Sequence, residues 1–186
     1  MQKIILGSQS PRRKQLLQWA EVPFDIIIKD TPETYPSHLT PLEIAIHIAK
    51  NKAVNIQVSH GDSVPILSAD TIVVLNDEII GKPADREEAI KILSRLSGEK
   101  HSVITGVCIL FNNKEIVFAD ITEVEFNALS IDQIAFYVDK YKPYDKAGAY
   151  AIQEWIGVVG IKSIKGDFYN VMGLPISRVV KELNKL

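Results

Sequence analysis

Lys3-Ile4-Ile5-Leu6-Gly7, followed at once by Ser8-Gln9-Ser10-Pro11-Arg12-Arg13, decides how this chain is read. The apolar run has the length of a short buried strand. Ser10 and Pro11 match an N-cap followed by the residue favoured at the first helical position, so a strand passes into a helix across a hydroxyl-bearing loop. Arg12 and Arg13 fall in the first turn of that helix, at the positive end of its dipole. A carboxylate is favoured there by roughly 0.3–1 kcal/mol and a cation is opposed. An anion resolves the conflict: free backbone N–H groups, two small hydroxyls and two guanidiniums would converge on a phosphate. The alternative is a pair of solvated arginines on a capped helix.

Outward from this segment, strands and helices alternate. After a first helix over about Ser10 to Ala20, Phe24 to Lys29 is predicted as a strand, and Asp30 to Thr40 as a polar loop. Thr40-Pro41 repeats the cap-plus-proline start and opens a long helix through about Gln57. Pro65 to Leu75 is a nearly continuous apolar run, and Asn76-Asp77 offers a turn into Glu78-Ile79-Ile80. Asp85 and Glu88 have capping-box spacing for a helix that ends at Gly98. His101 to Phe111 and Ile116 to Phe126 form a hairpin pattern around Asn112-Asn113. Ser130 with Gln133 caps another helix, Tyr150 to Ile164 is predicted as strand, and Pro175 to Leu183 as a closing helix. Strands interleaved with helices plus one hairpin imply an α/β fold with a mixed sheet in a single domain over residues 1–186.

The composition limits what this domain does. With 46% hydrophobic and 24% charged residues over 186 positions, the chain has the makings of a soluble globular protein with a substantial core. A formal net charge of -2 argues against a general nucleic-acid binder. Any anionic ligand must then be held by local positive charge. Cys108, the one cysteine, lies in the apolar segment Val107 to Phe111 and reads as core; without a disulfide framework the chain suits a reducing cytoplasm. No signal-peptide layout and no run of membrane-spanning length is present, so no membrane partner is expected.

Several residues stand where packing alone would not put them. Lys52 falls on the apolar stripe of the long helix formed by Leu42, Ala45, Ala49, Ala53 and Ile56. A lysine there needs an anion, a carboxylate or a path for its ammonium to water. Asp70 interrupts the apolar run between Ala69 and Thr71, where a charge is costly unless paired or metal-bound; it is a candidate metal ligand or general base, or else a turn cap at the strand's end. Glu33, in the polar loop, is a candidate second carboxylate for a divalent cation, and Lys82 in Gly81-Lys82-Pro83 a candidate phosphate contact. There is no P-loop, no G-x-G-x-x-G, no G-x-S-x-G elbow and no metal-ligand spacing among the four histidines.

Taken together, Gly7 to Arg13, Ser68-Ala69-Asp70-Thr71-Ile72-Val73, Gly81-Lys82-Pro83, Leu96 to His101 with Thr105-Gly106-Val107, Asp145-Lys146-Ala147-Gly148-Ala149-Tyr150 and Gly173-Leu174-Pro175 resemble the Maf family of nucleoside triphosphate pyrophosphatases. The blocks occur in the family's order along nearly the whole chain. The resemblance implies a two-lobed α/β domain with a nucleotide cleft, similar to inosine triphosphate pyrophosphatases, and a homodimer. It implies hydrolysis of a nucleoside triphosphate between the α and β phosphates, with Mg2+ or Mn2+, at a site of Asp70, Lys52 and Lys82. Asp70 matches the proton acceptor, and Asp70 with Glu33 the metal site. Ser8, Arg12, Arg13, Thr71 and Gln153 match substrate-binding positions, and Arg13, Thr71 and Gln153 together carry the pattern of the dTTP/UTP branch. Two positions depart from the family's usual residues: Pro32, where an acidic residue is common, and Glu154, where glycine is common. The competing class is a non-catalytic nucleotide-binding regulator of septum formation, which would keep the arginines but not require Asp70.

Overall fold

The computed structural model describes residues 2–186 and forms a mixed α/β fold with strand order β2-β1-β3-β5-β6-β7, β4 pairing with β3. Strand β1 (Ile4–Leu6) leads into helix α1 (Pro11–Trp19), then β2 (Phe24–Ile26), helix α2 (Pro41–His60) and β3 (Ile66–Leu75). Next come β4 (Glu78–Ile80), α3 (Arg86–Leu96), the long strands β5 (Lys100–Phe111) and β6 (Lys114–Phe126), and α4 (Ile131–Tyr141). A 3-10 turn at Ala147–Ala149 precedes α5 (Trp155–Gly160), β7 (Ile161–Lys165), α6 (Phe168–Met172) and α7 (Ile176–Leu183). The chain divides into two compact units. The first holds residues up to Thr71, Thr105–Asp120 and Gly173–Leu186; the second holds Ile72–Ile104 and Ile121–Met172.

In the first unit β1 is flanked by parallel neighbours, with Ile4 opposite Phe24 and Ile5 opposite Ile66. Parallel pairing needs crossover connections, and α1 and α2 supply them. Ile5, Ile66, Cys108 and Leu110 from the strands pack with Ala49, Ala53 and Ile56 of α2. Cys108 is fully buried, and burial pushes its thiol up to about 12. Two glycines let this packing close. A Cβ at Gly7 would lie 2.3 Å from Ser68 Oγ, and one at Gly106 would lie 2.3 Å from the Ala45 carbonyl carbon. The loop after β1 and the helix carrying Lys52 can therefore approach the sheet closely. Thr40 and Glu43 form the capping box of α2: the Thr40 N–H donates to Glu43 Oε2 at 2.8 Å.

In the second unit β3 turns back antiparallel into β4 through Asn76 and Asp77, both at positive φ, and β7 pairs antiparallel with β6. In the first unit, Asn112 and Asn113 take positive φ between β5 and β6, the conformation a tight hairpin turn of this kind requires. Ser130 and Gln133 cap α4 as their spacing predicts. The tract Tyr150 to Ile164 departs from its reading. Only Ile161–Lys165 is strand, and Trp155–Gly160 is helix despite its valines. Gly157 explains the difference: a Cβ there would stand 1.7 Å from the Ile152 carbonyl oxygen, so only glycine lets the chain coil back on itself. The close local approach that Gly157 permits runs against the β-propensity of the segment's valines. Strand β2 is also shorter than predicted, and the helix Phe168–Met172 carries no signal noticed in the sequence.

Just before that coil, Tyr150 is fixed by a buried histidine. His101 Nε2 and the Tyr150 hydroxyl share a hydrogen bond of 2.7 Å, and the imidazole stacks on Phe126. His101 is 3% exposed, and burial lowers its pKa from 6.5 to about 4. Between these values the unfolded chain holds the extra proton and the folded one does not. The stabilisation is therefore complete above about pH 6.5 and is lost as pH falls toward 4, on the order of 3 kcal/mol in all. Urea denaturation across this window should show His101→Gln losing less stability on acidification than the unsubstituted protein; equal slopes would show that His101 does not titrate this way.

Candidate active site

The first unit gathers two polar clusters at the carboxyl end of β1 and along β3. In one, Lys52 Nζ donates to Glu33 Oε1 at 2.6 Å and to Asp70 Oδ1 at 2.7 Å. Asp70 stands on β3 between Ala69 and Thr71, and its side chain is 12% exposed; Lys52 reaches it from α2, and Glu33 from the loop between β2 and α2. A carboxylate so placed would be costly alone, and the ammonium answers that cost. Lys52 thus does what its place on the apolar stripe requires. Asp70 Oδ2 takes no donor from the described residues and remains open to water. The two carboxylates supply hard oxygen donors held on one ammonium, a set that suits Mg2+ or Mn2+. Among the described residues no group of three or more His, Cys, Asp or Glu forms a metal cluster.

The second cluster centres on Arg13. Its Nε donates to the Gly173 carbonyl at 2.8 Å, Nη1 to Ser8 Oγ at 3.1 Å and Nη2 to Thr71 Oγ1 at 3.0 Å. Gly173 has φ +115, a conformation suited to glycine, and its carbonyl also accepts from the Thr71 hydroxyl at 3.4 Å. Thr105 Oγ1 lies 3.0 Å from Thr71 Oγ1. Burial lowers the Arg13 pKa from its ordinary value; Asp70 opposes this, Arg12 adds to it and Glu33 opposes it. The guanidinium still carries its charge at neutral pH.

Three of the five Arg13 N–H donors serve protein acceptors, and Arg12 is half-buried on the preceding helical position. Ser8 shows the same double use. Its hydroxyl accepts from Arg13 and from the Ser10 N–H at 3.2 Å, and the Ser10 side chain caps α1 as predicted. Gly7, Ser8, Arg13, Asp30, Glu33 and Lys52 are among the residues around a pocket of about 190 Å3 in this unit. Lys82 and Gln153 belong to the second unit, and both are exposed. Gly81, next to Lys82, accepts from the Gly148 N–H at 3.1 Å. Gly173, whose carbonyl accepts from Arg13, and Thr105, whose hydroxyl shares a hydrogen bond with that of Thr71, are not singled out by the sequence, although both lie in motif blocks quoted above.

Two solved structures share this fold. The Ham1 protein of Staphylococcus aureus matches with a TM-score of 0.51 at 17% identity, covering 97% of this chain and 100% of its own. A HAM1 protein from Coxiella burnetii matches at 0.50 and 17%, covering 100% of both chains. The α/β architecture is therefore that of Ham1-like proteins. The profile of the Maf-like proteins matches residues 3–186, and this chain belongs to the Maf family. A relative from Cytophaga hutchinsonii named dTTP/UTP pyrophosphatase is 51% identical, over 98% of this chain and 84% of its own length. One of the same name from Parabacteroides distasonis is 47% identical, over 97% and 94%.

The Arg13 contacts predict a structural cost. Arg13→Ala would strip Ser8, Thr71 and Gly173 of a donor and should lower unfolding free energy in urea by about 1–3 kcal/mol, the scale of leaving buried polar groups unsatisfied. Arg12→Ala should cost less. The reverse order would place the structural role on Arg12.

Proposed function

We propose that this protein hydrolyses dTTP and UTP to the nucleoside monophosphate and pyrophosphate. The observation that carries the reading is Asp70, a carboxylate set in an apolar strand and held with Glu33 on the Lys52 ammonium. Relatives 47–51% identical over nearly the whole chain bear the name dTTP/UTP pyrophosphatase. The Asp70 cluster favours catalysis over a purely regulatory nucleotide binder, which has no need of a buried, paired carboxylate.

Cleaving a phosphoanhydride with water requires a positioned nucleophile and positive charge around the phosphates. In our reading Asp70 Oδ2 accepts the proton of a water that attacks phosphorus at the α–β anhydride. The new P–O bond forms as the bridging P–O bond breaks, and two phosphate products leave. Lys52 fixes Oδ1, so that the carboxylate presents a defined oxygen. Asp70 and Glu33 would hold Mg2+ or Mn2+, which when bound supplies further positive charge to the phosphates. Arg12 and Lys82 are assigned to the phosphates, and Ser8, Arg13 and Thr71 to holding the loop after β1 in its binding shape. Gln153 is assigned to the base, because an amide both donates and accepts and so matches the O4/N3–H edge shared by uracil and thymine. The assignments of Lys82 and Gln153 rest on sequence resemblance. So does the homodimer that we propose with them; the cytoplasmic location that we also propose rests on a chain with one cysteine and therefore no disulfide framework. No helix among the described residues is long and apolar enough to cross a membrane.

Two measurements test this reading. With added Mg2+ or Mn2+, pyrophosphate release from UTP and dTTP should exceed that from ATP and GTP; equal rates on all four would refute the substrate assignment. Asp70→Asn keeps shape but neither accepts a proton nor carries charge. It should lower kcat by about 10²-fold or more while nucleotide binding by calorimetry persists. Near-normal turnover, or a trapped covalent enzyme intermediate, would refute the role of Asp70.

A further inference from the structure

The segment that carries Gln153 is closed by one buried hydroxyl. Tyr137, fully buried on α4, accepts the Ala151 N–H at 3.1 Å and donates its own proton to Glu154 Oε2. The same two residues are joined through the backbone, the Glu154 N–H donating to the Ala151 carbonyl at 3.0 Å. The hydroxyl and the backbone bond thus close a four-residue turn at both ends. Within it Ala151 and Ile152 are buried, Glu154 is half-buried, and Gln153 alone is exposed.

Glu154 is the residue that makes this more than ordinary packing. It stands at the N-cap position of α5, yet its side chain makes no capping bond there. Its backbone carbonyl starts the helix, accepting from Gly157 at 2.9 Å and Val158 at 3.3 Å. Its carboxylate turns instead to the Tyr137 hydroxyl, with Lys146 Nζ at 3.8 Å from the other oxygen. Lys146 is itself buried and bonded to Asp145 at 2.8 Å. A carboxylate turned inward toward a buried hydroxyl and a buried ammonium is an expensive way to fill space. It is an effective way to fix a backbone.

We propose that Tyr137, supported by Glu154 and Lys146, is a positioning residue that holds Gln153 in place for base selection. This rests on the reading of Gln153 as the base-contacting residue. With the turn clamped, the Gln153 amide is presented from one fixed backbone position, and its selectivity does not have to be established afresh on each encounter. Without the hydroxyl, the Ala151 N–H and the Glu154 carboxylate lose their shared partner and the turn loosens.

The test compares kcat/KM on UTP with kcat/KM on ATP in single variants. Tyr137→Phe keeps the ring, which stacks on Tyr141, and removes only the hydroxyl. It should lower the UTP/ATP ratio about three- to tenfold, the effect of one lost hydrogen bond. Glu154→Ala, at a less buried position, should do the same. Glu154→Gln, which retains an acceptor for the hydroxyl, should keep the ratio. The double variant Tyr137→Phe with Glu154→Ala should lose no more than either single one, since both break one linkage. Amide exchange at Ala151 should quicken in Tyr137→Phe. If Tyr137→Phe and Glu154→Ala slow both nucleotides equally and in step with a lower Tm, the clamp is merely structural and the proposal falls. Gln153→Ala separates the two ideas. Loss of selectivity there together with an unchanged ratio in the Tyr137 and Glu154 variants overturns the clamp alone. An unchanged ratio in Gln153→Ala itself overturns the base reading, and the clamp's part in selection with it.

Discussion

An ammonium shared between two carboxylates is the interaction on which the first unit turns. Asp70 occupies a buried strand position between Ala69 and Thr71, and a lone charge there would be several kcal/mol uphill. Lys52 makes the position tenable, and it can do so only because α2 lies close against the sheet. That closeness in turn depends on Gly106, where even a methyl group would strike the Ala45 backbone. Glu33 then uses the same ammonium to bring the polar loop after β2 to the strand. A small residue, a helix and a loop are thus coupled through one nitrogen atom.

Arg13 solves a related problem in the opposite sense. A cation at the positive end of a helix dipole, buried as well, is doubly disfavoured. Its three oriented acceptors come from the loop after β1, from β3 and from the glycine before α7, segments far apart in sequence. The arginine therefore ties the loop to the strand that bears Asp70. The tie gives a physical sense to the Arg13–Thr71 pairing that the family resemblance singles out: Thr71 is the acceptor for Nη2.

The second unit works by a different means, with aromatic residues carrying hydroxyls into a dry interior. Tyr150 is bound by His101 and Tyr137 by Glu154, and between them runs the chain on which Gln153 is exposed. A hydroxyl at the end of a rigid ring reaches into a core and still hydrogen-bonds, so it can fix backbone with little loss of side-chain freedom. The coil that follows depends on Gly157, which admits the Ile152 carbonyl where a side chain could not fit.

Much of this was open to inspection in the sequence because it is local chemistry. Ser10-Pro11, Thr40-Pro41 and Ser130 with Gln133 begin helices where they do because capping involves residues three apart. Asn112-Asn113 turns the hairpin because those residues tolerate positive φ. Asp70 and Lys52 were conspicuous because each breaks an apolar pattern, and a broken pattern demands a partner. Which partner was a matter for the tertiary structure alone, since the separations of Lys52 from Glu33 and Asp70, and of Arg13 from Gly173, are set by packing and not by spacing. The helix at Trp155–Gly160 was hidden for another reason: its valines favour a strand, and the close approach of Gly157 to the Ile152 carbonyl, which leaves no room for a side chain, has no periodic signature in the sequence.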